Sequence, residues 1–190
     1  MDAAPYAGSV TSTPRILALA AAAALALSLA ACSSTTTAQP GSSAAEETAA
    51  PTSAPCAGDE GVTFVVDSSA LAGGADAQYC VPAEATIAAA DVLAATGVET
   101  EGTDEYGDQV VCRVNGLPSA TEPVGSTEDP AYVEECASMP AAFAYWSLWV
   151  KPAGGEWGYA EEGLSTLQVE PGDSLELLFT LDGEPAAPAS

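Results

Sequence analysis

Ala141-Ala-Phe-Ala-Tyr-Trp-Ser-Leu-Trp-Val-Lys-Pro-Ala-Gly-Gly-Glu-Trp-Gly-Tyr-Ala-Glu-Glu-Gly163 holds all three tryptophans of the chain, half of its aromatic residues and its only lysine, Lys151. Between Phe143 and Val150 successive side chains alternate as in a strand, with Phe143, Tyr145, Ser147 and Trp149 on one face and Ala144, Trp146, Leu148 and Val150 on the other. Both faces are mostly apolar, which predicts an inner strand covered on two sides. Pro152-Ala-Gly-Gly155 then reads as a turn leading to a return strand through Trp157 and Tyr159.

Downstream, Ser165–Val169 reads as a strand and Pro171-Gly172-Asp173 as a turn. A last strand follows, with Leu175, Leu177, Phe179 and Leu181 on one face. Upstream, Pro, Gly, Ser and acids dominate from Leu117 to Met139, so a long loop is expected that lacks the apolar residues to order itself. Gln109–Val114 is a strand closed by the turn pair Asn115-Gly116. Pro82 to Thr96 predicts the one helix, with Ala85, Ala88, Ala89, Val92 and Leu93 on one stripe and Gly97 as a left-handed cap. Gly61–Ser68 is β-branched and aromatic and reads as the first strand. These elements predict an α+β fold: a single small domain over residues 56–181, about 125 residues, with one helix packed on a mostly antiparallel sheet.

Four cysteines, Cys56, Cys80, Cys112 and Cys136, fall within this domain. No Cys-x-x-Cys and no histidine accompanies them, so two disulfides are expected rather than metal ligation. Three pairings are possible. The sequential one, Cys56 with Cys80 and Cys112 with Cys136, closes two loops of equal span and is preferred.

The fifth cysteine belongs to another context. Behind Arg15, the uncharged apolar run from Ile16 to Ala31 is a signal-peptide core, short for a membrane-spanning helix of about 20 residues. It ends in Leu29-Ala30-Ala31-Cys32, which resembles the bacterial lipobox. That resemblance implies a signal peptide over residues 1–31 and lipidation of Cys32, with the mature protein held at the extracytoplasmic face of the cell membrane by its lipid. The competing reading is a retained transmembrane anchor with Cys32 buried in it. Residues 33–55, rich in Ser, Thr, Ala and Pro without a large apolar side chain, read as a disordered linker, and residues 182–190 as a disordered tail.

The net charge is −24, and removing Asp2 and Arg15 with the signal leaves it unchanged. Such a surface repels nucleic acid, so no nucleic-acid partner is expected. The acids are scattered without calcium-loop spacing, so no metal site and no cofactor is expected.

The order of motifs is similar to that of the transcobalamin-like C-terminal domain family: a strand, a helix ending in Gly97, Cys112-Arg-Val-Asn-Gly116, Tyr145-Trp146, a Gly-rich turn, Gly163, and Pro171-Gly172-Asp173 before a last strand. The resemblance covers about residues 61–181 and implies a β-grasp-like fold. It also implies a face that meets a corrinoid, although the cobalamin carriers use a large helical domain that these 190 residues do not supply. The chain has no histidine, which excludes histidine ligation of cobalt as well as Ser-His-Asp and Cys-His catalysis. Adjacent acid pairs such as Glu161-Glu162 or Glu134-Glu135 point to opposite faces of a strand, so the chain reads as a non-enzyme.

The candidate ligand-binding residues are therefore those of the aromatic hairpin, Tyr145, Trp146, Trp149, Lys151, Trp157 and Tyr159. Rings stack on a small planar solute such as a corrinoid, and Lys151 meets an anionic group on it. In the opposing reading Tyr145 and Trp146 fill the core, Trp149 packs on Trp157 across the hairpin, and the domain docks an envelope or transporter protein without a small ligand.

Overall fold

Val62, Phe64 and Val66 are buried on one side of β1 (Gly61–Asp67), while Thr63, Val65 and Asp67 on its other side are half-buried. The computed structural model describes residues 49–183 and residue 188; the signal core, Cys32 and most of the linker and tail lie outside the described residues. β2 (Asp76–Pro82) returns antiparallel to β1 and α1 (Ala89–Thr96) packs on both, its Ala89 and Val92 buried. β9 (Ser174–Leu181) lies parallel to β1 on the opposite side, β6 (Ala144–Lys151) pairs antiparallel with β9, and β7 (Gly158–Tyr159) pairs with β6. The sheet order is thus β2-β1-β9-β6-β7. Every pairing except β1 with β9 is antiparallel, so the expected α+β class, with one helix and a mostly antiparallel sheet, is found among the described residues.

The register puts Val62, Phe64, Val66, Leu175, Leu177, Phe179, Ala144 and Trp146 on one face, and these form the core with α1. Two short ribbons accompany the main sheet. In one, β3 (Ile87–Ala88) pairs with β8 (Gln168–Val169); in the other, β4 (Thr100–Thr103) pairs with β5 (Gly107–Val114), whose Val111 and Val114 reach the core. The opposite face of the main sheet carries Thr63, Val65, Asp67, Gln78, Asp76, Ser174, Glu176, Trp149 and Lys151.

Several expectations need correcting. The helix starts at Ala89, not Pro82, because Ile87 and Ala88 pair with Val169 and Gln168, and the Ala89 amide donates to the Leu167 carbonyl. A tertiary pairing thereby overrides local helix preference, and Ala85 stays exposed. Gly97 does cap the helix, with φ +71°. Asp76–Pro82 and Thr100–Thr103 are strands that the sequence did not suggest, and the strand expected over Ser165–Val169 shrinks to Gln168–Val169. Both disulfides follow the sequential pairing, Cys56–Cys80 and Cys112–Cys136.

The outer boundaries also shift. Thr52, within the expected linker, exchanges both backbone hydrogen bonds with Cys80, at 3.1 and 2.9 Å. Asp182, at the start of the expected tail, accepts from the Ser126 hydroxyl and from the Thr127 amide at 2.6 Å. Those bonds, the Ser126 hydroxyl foremost, hold its carboxyl below the usual carboxylate range. The loop from Leu117 to Met139 has more apolar anchoring than expected. Val124 is buried in the core, and the Tyr132 ring meets Phe143 edge-on at 5.2 Å.

Candidate ligand-binding site

In an antiparallel pair, directly opposed residues share a face, and so do the diagonal neighbours two positions along. Glu176 on β9 stands opposite Val65 of β1 and Trp149 of β6. One diagonal leads to Asp67, which in turn faces Asp76 of β2; the other leads to Lys151 of β6, which faces Ser174. Beyond the Pro152-Ala-Gly-Gly155 turn, Trp157 lies beside Lys151, with Nζ 5.7 Å from the ring centroid. The arm that carries Pro55 and Cys56 closes this end, since the Cys56 amide donates to the Thr63 hydroxyl at 3.0 Å and the Cys56–Cys80 bond ties it to β2.

A cavity of about 310 Å³ lies between these parts, lined by Pro55, Thr63, Asp67, Asp76, Lys151, Trp157 and Glu176 among others. Its volume falls at the lower end of the range for small-molecule sites. Glu176 is only 3% exposed. Burial first, and then the negative charges of Asp67 and Asp76, push its carboxyl up from the ordinary 4.5 to about 7. Asp76 is itself raised, chiefly by a hydrogen bond shared with Asp67. The indole N–H of Trp157 is buried and, among the described residues, has no acceptor. Among the described residues the one ion pair is Arg113 with Glu101, so Lys151 and Glu176 line one cavity without being joined.

The six residues expected to form one surface are divided by the sheet. Lys151 and Trp157 line the cavity. Trp149, on the same face, stacks on Tyr159 at 4.0 Å and donates its indole N–H to the Ser147 hydroxyl at 2.9 Å. It does not pack on Trp157, because Tyr159 is its register partner and Trp157 precedes β7. Tyr159 is 48% exposed at the hairpin edge, and Tyr145 is half-buried at the far end of the face, opposite Thr180. Trp146 points the other way, into the core, where it meets Phe179 edge-on at 5.2 Å and donates to the Leu117 carbonyl at 3.1 Å.

Sequence reasoning missed Glu176, Asp67 and Asp76. A signal existed for the first: it is the only charge in Leu175-Glu-Leu-Leu-Phe-Thr-Leu181.

A wider hollow of about 420 Å³ lies at the hairpin edge, but its charged lining residues, Glu156, Glu161 and Glu162, are all exposed. The one close group of three metal-type ligands among the described residues is Glu101, Cys112 and Cys136. Its cysteines are joined as a disulfide, so it offers no thiolate. Asp67, Asp76 and Glu176 do not converge in that way, which disfavours a preformed divalent-cation cage.

The raised carboxyl of Glu176 has a consequence for stability. Between pH 4.5 and about 7 the folded state holds a proton that the unfolded chain has released, so stability falls as pH rises through this window and is flat above it. Glu176→Gln is expected to remove that slope and to be more stable than the parent at pH 8, as urea midpoints from pH 5 to 8 would record. Parallel curves for the two proteins would mean that Glu176 is solvated.

Compared with protein-family models, with curated proteins and with solved structures, the chain matches none.

Proposed function

We propose that this chain is a lipid-anchored, extracytoplasmic binding protein that captures a small solute at the polar face of its sheet, rather than an enzyme. The observation that carries the reading is the cavity beside Lys151, lined by the nearly buried Glu176 and by Trp157, whose indole N–H is buried without an acceptor among the described residues. Unsatisfied buried polar groups cost about 1–3 kcal/mol each. Folding does not recover that cost, but a ligand that supplies the missing partners does.

The parallel neighbouring of β1 and β9, the first and last strands, with α1 against the sheet, supports a β-grasp-like assignment. The resemblance to the transcobalamin-like family favours a planar, corrinoid-like ligand. A whole corrinoid exceeds this cavity and would lie across its mouth, with only a peripheral group inside. Attachment through Cys32 rests on Leu29-Ala30-Ala31-Cys32, and residues 33 to about 51 would serve as the tether through which the domain presents its solute to an envelope transporter.

The test uses the full chain in mild detergent. A solute panel that includes corrinoids and small heterocycles is screened by melting temperature and tryptophan fluorescence, since a specific ligand stabilises by RT ln(1 + [L]/Kd). At least one solute is expected to raise the melt in the parent and not in Trp157→Ala. In cells, Cys32→Ala is expected to leave the membrane fraction. No response across the panel, together with a co-purifying envelope protein, would replace this reading with that of a protein-docking module.

A further inference from the structure

Charge is ordered along the polar sheet face. At one end Lys151 stands over Trp157; one register step along and one strand across is Glu176; beyond it Asp67 and Asp76 face each other. By strand spacing alone, the Cα atoms of Lys151 and Glu176 are roughly 8 Å apart. Two long side chains of opposite charge at that separation are within reach of a direct ion pair, yet none forms, although both line the same cavity.

We infer that the cavity takes a small zwitterion, an amino-acid-like solute whose carboxylate meets Lys151, whose ammonium meets Glu176 with Asp67 and Asp76 behind it, and whose apolar body lies against Trp157. This inference rests on the binding role proposed above and specifies the class of ligand. An ammonium group offers three donors, and three carboxylates stand on its side of the cavity. A carboxylate has no donor on that side, so an anion alone is repelled by the acids. A cation alone adds a second positive charge to a cavity that already holds Lys151 and brings no anion for it. A divalent metal ion finds no tight carboxylate cage among the described residues.

The inference carries a pH dependence. The titratable and charged groups facing Glu176 are Asp67 from β1, Asp76 from β2 and Lys151 from β6. In the free protein the Glu176 carboxyl is raised to about 7. An ammonium beside it favours the ionised form, so binding releases a proton around neutrality and weakens as pH falls below 7.

The experiment titrates the full chain in mild detergent with three solutes of one body, phenylalanine, phenethylamine and 3-phenylpropionate, and with leucine, isoamylamine and 4-methylpentanoate as an aliphatic set. The readout is the Trp157 indole N–H resonance, assigned with Trp157→Phe. The zwitterion of at least one set is expected to bind at least tenfold more tightly than its amine or acid at pH 8, and at least fivefold more weakly at pH 5.5. Lys151→Met is expected to make zwitterion and amine equivalent, and Glu176→Gln to abolish the pH dependence.

An amine that binds as well as the zwitterion to the parent overturns the inference in favour of a cation site. An acid that binds best overturns it in favour of an anion site. If neither set moves the resonance while some solute of the wider panel does, the zwitterion class is wrong and the binding role stands. If nothing of any class moves it, both fall.

Discussion

Trp146→Ala is expected to lower the stability of the domain by about 4 kcal/mol, whereas Trp157→Ala changes it by about 1 kcal/mol or less. The two tryptophans belong to one hairpin, yet they answer to different physics. Trp146 is 8% exposed, its ring fills the core edge-on to Phe179, and its N–H satisfies the Leu117 carbonyl. Truncation removes the apolar area, leaves a cavity and takes away one of the two hydrogen bonds that the Leu117 carbonyl accepts, the other coming from the Val114 amide, three losses of the same sign. Trp157 is half-buried on the opposite face, with Lys151 as its ring partner and with no acceptor for its N–H. Its removal forfeits little packing and no hydrogen bond, but it strips the wall from the proposed site. Urea unfolding of both variants, at matched m-values, separates the roles. A Trp146→Ala midpoint near that of the parent would remove it from the core, and a Trp157→Ala protein that unfolds would make that ring structural.

How much of this division was legible in the sequence depends on how sharply each segment alternates. From Ala144 to Val150 both faces are apolar, so the pattern established a strand covered on two sides without saying which side was the core. The core side is decided by β9, where Leu175, Leu177 and Phe179 fall opposite Val150, Leu148 and Trp146. Glu176 was hidden by the number of acids around it: in a chain of net charge −24 one more glutamate looks like solvated surface. Its burial follows from the position of β9, flanked by β1 and β6. Asp76-Ala-Gln-Tyr-Cys-Val-Pro82 escaped notice because its first half is polar and exposed, and its pairing comes from β1. Alanine misled most. Ala85, Ala88 and Ala89 are compatible with one helical stripe, but only a partner strand shows that Ile87 and Ala88 belong to a ribbon.

Replacing both Cys112 and Cys136 with alanine is expected to lower stability by about 3 kcal/mol, and the reason lies in how residues 117–139 are held. The bond closes a loop across a sequence separation of 24, whose freedom in the unfolded chain it removes. The segment contains no strand or helix, so its backbone groups must find partners one by one. Arg113, adjacent to the disulfide, supplies two of them: its buried guanidinium donates to the Pro118 carbonyl at 3.0 Å and to the Glu134 carbonyl, while pairing with Glu101 at 2.8 Å. Glu134 in turn accepts from the Cys136 amide at 2.7 Å and from the Tyr132 hydroxyl at 2.6 Å, and the latter bond, after burial, pushes that phenol up to about 12. Without the crosslink the remaining ties act separately, so the segment opens before the sheet does. Limited proteolysis of the double variant is expected to cut between residues 117 and 139 while melting of the remainder stays cooperative. Glu176, Lys151 and Trp157 lie on the sheet face away from β5, so the response to a solute at the cavity is expected to survive. A stability loss below about 1 kcal/mol would show that Arg113 and the core contacts of Val124 hold the segment without the disulfide. Loss of the solute response together with the loop would show that the two faces are coupled.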